Sequence, residues 1–90
     1  MNVIITKQYE KDFRSLPIQI KNLAVEAYEH VSAARTVYDI HQCVRLKGFT
    51  DRYRIKIGAY RILFLVVIKE DSVEFRRVLP RGQAYKRHIT

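Results

Sequence analysis

Ninety residues, 48% hydrophobic and 29% charged, with one cysteine and a net charge of +8, define a small basic chain. Domains run from ~50 to ~250 residues, so one domain is expected, and the composition is that of a globular fold rather than a disordered segment. The lone Cys43 excludes an internal disulfide framework, and no signal-peptide pattern or transmembrane-length apolar span is present; a reducing cytoplasm is the expected location, with no membrane partner.

The charge is unevenly placed. Residues 1–40 carry five Lys/Arg against five acids, whereas residues 41–90 carry twelve against four. A neutral half joined to a strongly basic half predicts that the second half faces a polyanion, of which nucleic acid is the commonest.

Asn2 to Thr6 is rich in β-branched residues and predicts a first strand. Tyr9, Phe13 and Leu16 then fall at helical spacing over residues 8–15. Ser15-Leu16-Pro17 supplies a cap-like serine and a proline for the first turn of a second helix, which Leu16, Ile20, Leu23, Ala27 and Val31 carry to about Ser32. Residues 33–42 lack a sustained period and read as a frayed helix end and connector. A short strand from Cys43 to Lys47, closed by Gly48, precedes three clearer strands near 52–57, 60–68 and 73–79. The strand from Tyr60 to Ile68 is apolar on both faces beyond Arg61 and is therefore central in its sheet. Pro80 ends the last strand, and a basic helical tail over residues 83–89 follows. The expected architecture is α+β: one small domain with an N-terminal strand and two helices packed on an antiparallel β-meander.

The most informative stretch is Tyr53-Arg54-Ile55-Lys56-Ile57-Gly58-Ala59-Tyr60-Arg61. A two-residue Gly58-Ala59 loop of type II′ pairs Ile57 with Tyr60 and sets Lys56 directly opposite Arg61, with Arg54 two residues back on the same face. Like charges ~5 Å apart repel by roughly 1 kcal/mol in water and about 3 kcal/mol at an effective dielectric of ~20. Folding alone offers no reason for that arrangement, so the face is read as an anion site.

Other chemistries are poorly represented. His30, His41 and His88 share no ligand spacing with one another or with Cys43, and no zinc set, paired catalytic carboxylates or Gly-rich phosphate loop is evident; no cofactor or metal is expected. Arg54, Lys56 and Arg61, joined by Arg81 and by Tyr85 four residues on, suit single-stranded RNA, because arginine donates bidentately to phosphate and a tyrosine ring stacks on an unpaired base. Arg45, Lys47, Arg52, Arg76, Arg77, Lys86 and Arg87 are the candidate RNA-binding cations around them. The 2′-OH of RNA is an internal nucleophile, so such a site need only align it, stabilise the phosphorane charge and move two protons. Crowding by cations makes Lys56 the candidate proton acceptor, and Arg81 the group that neutralises the departing 5′ oxygen.

Leu46-Lys47-Gly48, the Tyr53 to Phe64 hairpin, Arg81 and Tyr85 together resemble the RelE/ParE superfamily of bacterial toxins from toxin–antitoxin pairs, most closely its RelE-like mRNA interferases. The resemblance implies a RelE-like fold over most of the chain. It also implies a metal-independent endoribonuclease that enters the A site of the 70S ribosome and cuts mRNA, leaving a cyclic or 3′-phosphate and a 5′-OH, with Arg54, Lys56, Arg61, Arg81 and Tyr85 as catalytic residues. A cognate antitoxin would wrap the toxin, partly on apolar residues of the first 35 positions, and the complex would repress its own operator DNA; the free toxin is expected to be a monomer. The runner-up is a ParE-like poison of DNA gyrase, which needs no nuclease residues, and a third reading is a non-catalytic module that binds an antitoxin or the ribosome.

Overall fold

The alternation and helical periods of the sequence resolve, in a computed structural model that describes residues 1–84, into β1 (Asn2–Ile5), α1 (Lys7–Arg14), α2 (Ile18–Ala33), β2 (Cys43–Arg45), β3 (Arg52–Ile57), β4 (Tyr60–Val67), β5 (Ser72–Pro80) and α3 (Arg81–Ala84). The five strands form one sheet in the order β1-β5-β4-β3-β2. Strands β2 to β5 are the expected antiparallel meander, and β4, apolar on both faces, lies at its centre.

β1 departs from the meander. It pairs in parallel with β5, Asn2 beside Ser72 and Ile5 beside Phe75, so the sheet is mixed and the helices form the crossover. β1 stops short of the end of β5, which leaves backbone groups of β5 without a strand partner. α1 supplies the partners: the Thr6 hydroxyl donates to Phe75 O at 2.8 Å, and the Asp12 carboxylate accepts from Val78 N–H at 3.2 Å and from Arg77 Nε at 2.7 Å. Asp12 thus closes an edge that would otherwise carry a buried, unpaired donor, and hydrogen bonds to a charged partner contribute about 1.5–3 kcal/mol each.

Local chemistry explains the ends of the helices. Thr6 is the N-cap of α1, its hydroxyl accepting from Tyr9 N–H. Ser15, expected to start the second helix, instead ends the first, its backbone N–H bonding to Asp12 and Phe13 carbonyls; Pro17 is the N-cap of α2. The connector holds a 3-10 turn at Val37–Asp39, closed by reciprocal Thr36 and Asp39 side-chain bonds. A second 3-10 turn at Ile68–Glu70 ends β4 one residue earlier than expected and leaves Ile68 85% exposed.

The core lies between the helices and one face of the sheet. Tyr9, Phe75, Phe64 and Tyr53 run through it with successive ring centroids 5.3, 6.0 and 5.6 Å apart, inside the range of favourable aromatic pairs. Ala24, Ala27 and Val31 bring α2 close to the sheet, whereas Leu23, placed on the apolar stripe by its spacing, stays 37% exposed at its margin. A β-bulge at Arg76 makes this packing possible, since Leu63 pairs with Arg77 but Phe64 pairs with Phe75. The extra residue switches the parity of β5, so that Val73 and Phe75 before it and Val78 after it all enter the core. On the opposite face a smaller cluster of Leu63, Leu79 and Ala84, with Leu46 against it, seats α3 on β4 and β5. No helix of the described residues is long and apolar enough to cross a membrane.

Candidate active site

The basic face is built by the β3–β4 hairpin. Its register is the expected one, Ile57 opposite Tyr60 and Lys56 opposite Arg61, with Arg54 opposite Leu63. Gly58 has a φ of +64°, the left-handed value that the first position of a type II′ turn requires, and Ala59 keeps a negative φ. An L side chain at Gly58 would find space, its Cβ 3.5 Å from Ile20 Cδ1, so glycine is there for the backbone conformation.

The two facing cations are in different states. Lys56 is exposed, but Arg61 is only 7% exposed, and its Nη1 donates to Gly58 O at 3.0 Å and to Tyr60 O at 2.9 Å. The expectation that folding gives no reason for this pair is corrected here. Arg61 ties down the hairpin turn, and the two carbonyl dipoles offset the repulsion from Lys56.

Arg81 joins the same turn through the backbone. Its N–H donates to Ala59 O at 2.9 Å, directly after the Tyr60–Pro80 pair, and its side chain is exposed. The turn therefore gathers Lys56, Arg61 and the start of α3. Arg54 is half-buried on the same face. Tyr85, Lys86 and Arg87, named as site residues from the sequence, lie outside the described residues.

The flanking cations diverge. Arg45 pairs with Tyr53, whose ring is in the core, so register sets it on the face opposite Lys56. Arg52 shares the Lys56 face but packs over Phe49 at 4.8 Å, with its Nε 3.8 Å from Asp51. Arg76 pairs with Glu74 at 2.8 Å, and Arg77 is held by Asp12. Lys47 is exposed in the loop before Gly48. Lys56 and Arg81 are thus the exposed cations that the structure brings to the turn.

Two features escaped sequence reasoning. His30 and His41, unrelated by spacing, line one cavity beside the hairpin, together with Lys56 and Gly58. Asp12, which the sequence shows only as one acid of the neutral half, fastens the strand that leads into Arg81. Cys43 is half-buried, and burial pushes its thiol up to about 11, which removes it as a nucleophile at neutral pH. Among the described residues no group of three or more His, Cys, Asp or Glu is arranged to hold a metal ion.

A mixed sheet with two helices on one face and a cationic hairpin on the other has close counterparts among known proteins. The toxin RelE3 of Methanocaldococcus jannaschii is 30% identical over 86 residues, covering 94% of this chain and 96% of that protein. A chain of the RelB–RelE antitoxin–toxin complex from Methanococcus jannaschii superposes with a TM-score of 0.77 at 28% identity, over 93% of this chain and 96% of that one. The RelE–RelB complex from Pyrococcus horikoshii OT3 follows, with a TM-score of 0.75 at 26% identity over 91% and 96%. No protein-family model matches the chain. On this similarity the chain belongs to the RelE family of toxins, and the helices-on-sheet fold is that of the family. These relatives carry RelE names, and none of them supports the ParE alternative.

Proposed function

We propose that this RelE-family toxin cleaves mRNA in the ribosomal A site through the 2′-OH of the nucleotide before the cut. The observation that carries the reading is the convergence of exposed Lys56, turn-bound Arg61 and the start of α3 at Arg81 on one two-residue loop. Such a loop offers a scissile phosphate exposed cations from β3 and from α3, on a turn that Arg61 holds in shape.

Lys56 is the group placed to take the 2′-OH proton while the 2′ oxygen attacks phosphorus. Charge that builds on the equatorial oxygens is met by the Arg54 guanidinium, and the buried positive charge of Arg61 behind the turn adds to the field there. The P–O5′ bond breaks, Arg81 neutralises the departing oxygen, and water supplies its proton. The products are a 2′,3′-cyclic phosphate and a 5′-OH. The nucleophile is part of the substrate, so this scheme requires neither a cofactor nor a metal. Tyr85, four residues beyond Arg81, is the candidate to stack on the adjoining base.

A cognate antitoxin is part of the proposal. The matched relatives were solved as RelB–RelE complexes, and this chain leaves Ile5, Val25 and Tyr28 exposed around a largely apolar groove of about 220 Å³ between β1, α1 and α2. That groove suits the apolar face of an antitoxin helix. In this reading the free toxin is a monomer, and operator DNA is bound by the toxin–antitoxin complex.

Primer extension on a defined mRNA in translating 70S ribosomes tests the reaction. Discrete cuts are expected on ribosomes and not on naked RNA, with Lys56→Gln reducing their rate about 100-fold or more and Arg81→Ala and Tyr85→Phe also weakening them. Intact mRNA at full ribosome occupancy would overturn the proposal, and a gyrase cleavage assay would then test the ParE-like alternative.

A further inference from the structure

The end of β5 sets where Arg81 stands. Arg81 is the first residue of α3 and its side chain is exposed, so its place follows from its backbone, whose N–H is bonded to Ala59 O in the hairpin turn. Along a strand the backbone donors alternate between the two sides. With Arg81 N–H turned towards the hairpin, the donor of Val78 points the other way, off the edge that β1 leaves open after Ile5. Residue 80 shares that direction, and as a proline it has no N–H to satisfy. One outward donor therefore remains between the bulge and Arg81, and α1 meets it.

Asp12 makes that bond with a carboxylate that is fully committed. Its Oδ2 accepts from Val78 N–H at 3.2 Å and from Arg77 Nε at 2.7 Å, and its Oδ1 accepts from Arg77 Nη2 at 3.3 Å and from Gln8 Nε2 at 3.1 Å. Four donors match the roughly four lone-pair sites of an ionised carboxylate. The Asp12 side chain is 11% exposed. Its helix is itself fixed to β5, through the Thr6 hydroxyl on Phe75 O and the contact of the Tyr9 and Phe75 rings, so the acceptor is anchored where the strand needs it.

The tether is close to the site it would serve. Val78 and Arg81 are separated by about 10 Å of extended chain, and Leu79 between them is buried in the cluster with Leu63 and Ala84. A bond at Val78 limits how far the end of β5 can lean away from the turn, and with it the guanidinium proposed to meet the departing oxygen. Misplacement of a catalytic group by ~1 Å can cost on the order of 100-fold in rate.

We propose that Asp12 is a positioning residue for RNA cleavage, holding the end of β5 so that Arg81 stands beside the Lys56–Arg61 turn. The proposal rests on the RNA-cleaving reading, but its structural half is testable without any cleavage. Amide hydrogen exchange of the full-length protein is compared with that of Asp12→Ala and of Asp12→Asn, which keeps one acceptor oxygen. In Asp12→Ala the amides of Val78 and Arg81 are expected to accelerate about tenfold or more beyond any change at Ile62 and Phe64, buried at the centre of the sheet, whose amides report global opening. Arg81 accelerated no more than Ile62 and Phe64 would overturn the proposal, because Asp12 would then serve overall stability alone. In the ribosome assay, at a temperature where each variant is folded, Asp12→Ala is expected to cut about tenfold more slowly or worse at saturating ribosomes, with the half-saturating ribosome concentration little changed. Asp12→Asn is expected to recover most of that loss. Cutting by Asp12→Ala at the parent rate would overturn the positioning role, and a loss that Asp12→Asn does not recover would assign the effect to Arg77 and overturn the Val78 tether. Where Asp12→Ala does not fold, Asp12→Glu, which keeps the charge but displaces the acceptor, takes its place with the same expectations. If the parent cuts no mRNA, the nuclease reading falls and the role in cleavage with it, whereas unequal amide exchange would still show that Asp12 fixes Arg81.

Discussion

Arg61 shows how one side chain can serve both fold and site. Its guanidinium is bound to two turn carbonyls, Gly58 O and Tyr60 O, so Arg61→Ala removes charged hydrogen bonds from a buried position. A loss of about 1.5–3 kcal/mol in urea unfolding is expected, and a loss below about 0.5 kcal/mol would show that the turn stands without it. Activity measured in that variant must be read beside its stability, whereas exposed Lys56 reports on chemistry more directly. Cys43 gives a second residue-level test. Its ordinary value is 9.0, and burial pushes it up to about 11, so the folded state keeps a proton that the unfolded chain releases. The stability this contributes is full below pH 9 and is lost as pH rises towards 11. Alkylation of the native protein by iodoacetamide should therefore be slow at pH 8 and keep accelerating up to about pH 11; a rate that levels off near pH 9 would contradict it.

Among the elements, two glycines make opposite predictions. Gly58 occupies a positive φ in an open turn, so Gly58→Ala meets backbone strain rather than a clash and is expected to destabilise by about 1–2 kcal/mol. Gly82 lies within α3 with open space around its Cβ position, and Gly82→Ala is expected to stabilise by about 0.5–1 kcal/mol. Thermal melts of the two variants check both signs. Elements defined by short-range pattern were legible in the sequence: the hairpin register followed from the two-residue loop and alternation, the central strand from apolar residues on both faces, and α1 from the spacing of Tyr9, Phe13 and Leu16. Elements settled at long range were not. The parallel pairing of β1 depends on a partner at the other end of the chain. The bulge at Arg76 shows only once Val78 is seen to share a face with Phe75. Of the site, the Lys56–Arg61 pairing could be read by counting, but burial of Arg61, diversion of Arg77 to Asp12 and the placing of His30 and His41 on one cavity required the folded chain.

At the scale of the whole molecule the sheet separates two surfaces. One side presents the cationic hairpin; around the other, β1, α1 and α2 expose Ile5, Val25 and Tyr28. If that apolar region seats the antitoxin, Val25→Glu should weaken its binding about 10-fold or more, because a buried carboxylate would lack a partner. The same variant should retain most of its cutting activity in the absence of antitoxin. Calorimetry with the antitoxin and primer extension without it separate the two effects. Unchanged affinity would move the seat elsewhere.

The parallel β1–β5 pairing also orders events in time. Asn2 is made before α1 and α2, but its partner Ser72 is synthesised only after those helices, the connector and both strands of the hairpin. Until β5 emerges, β1 has no strand to join, Asp12 has no edge to close and the hairpin has no Arg81 beside it. Sheets closed by such distant partners assemble late, after local helices and hairpins. A growing chain therefore lacks the assembled cationic turn until β5 slots between β1 and β4.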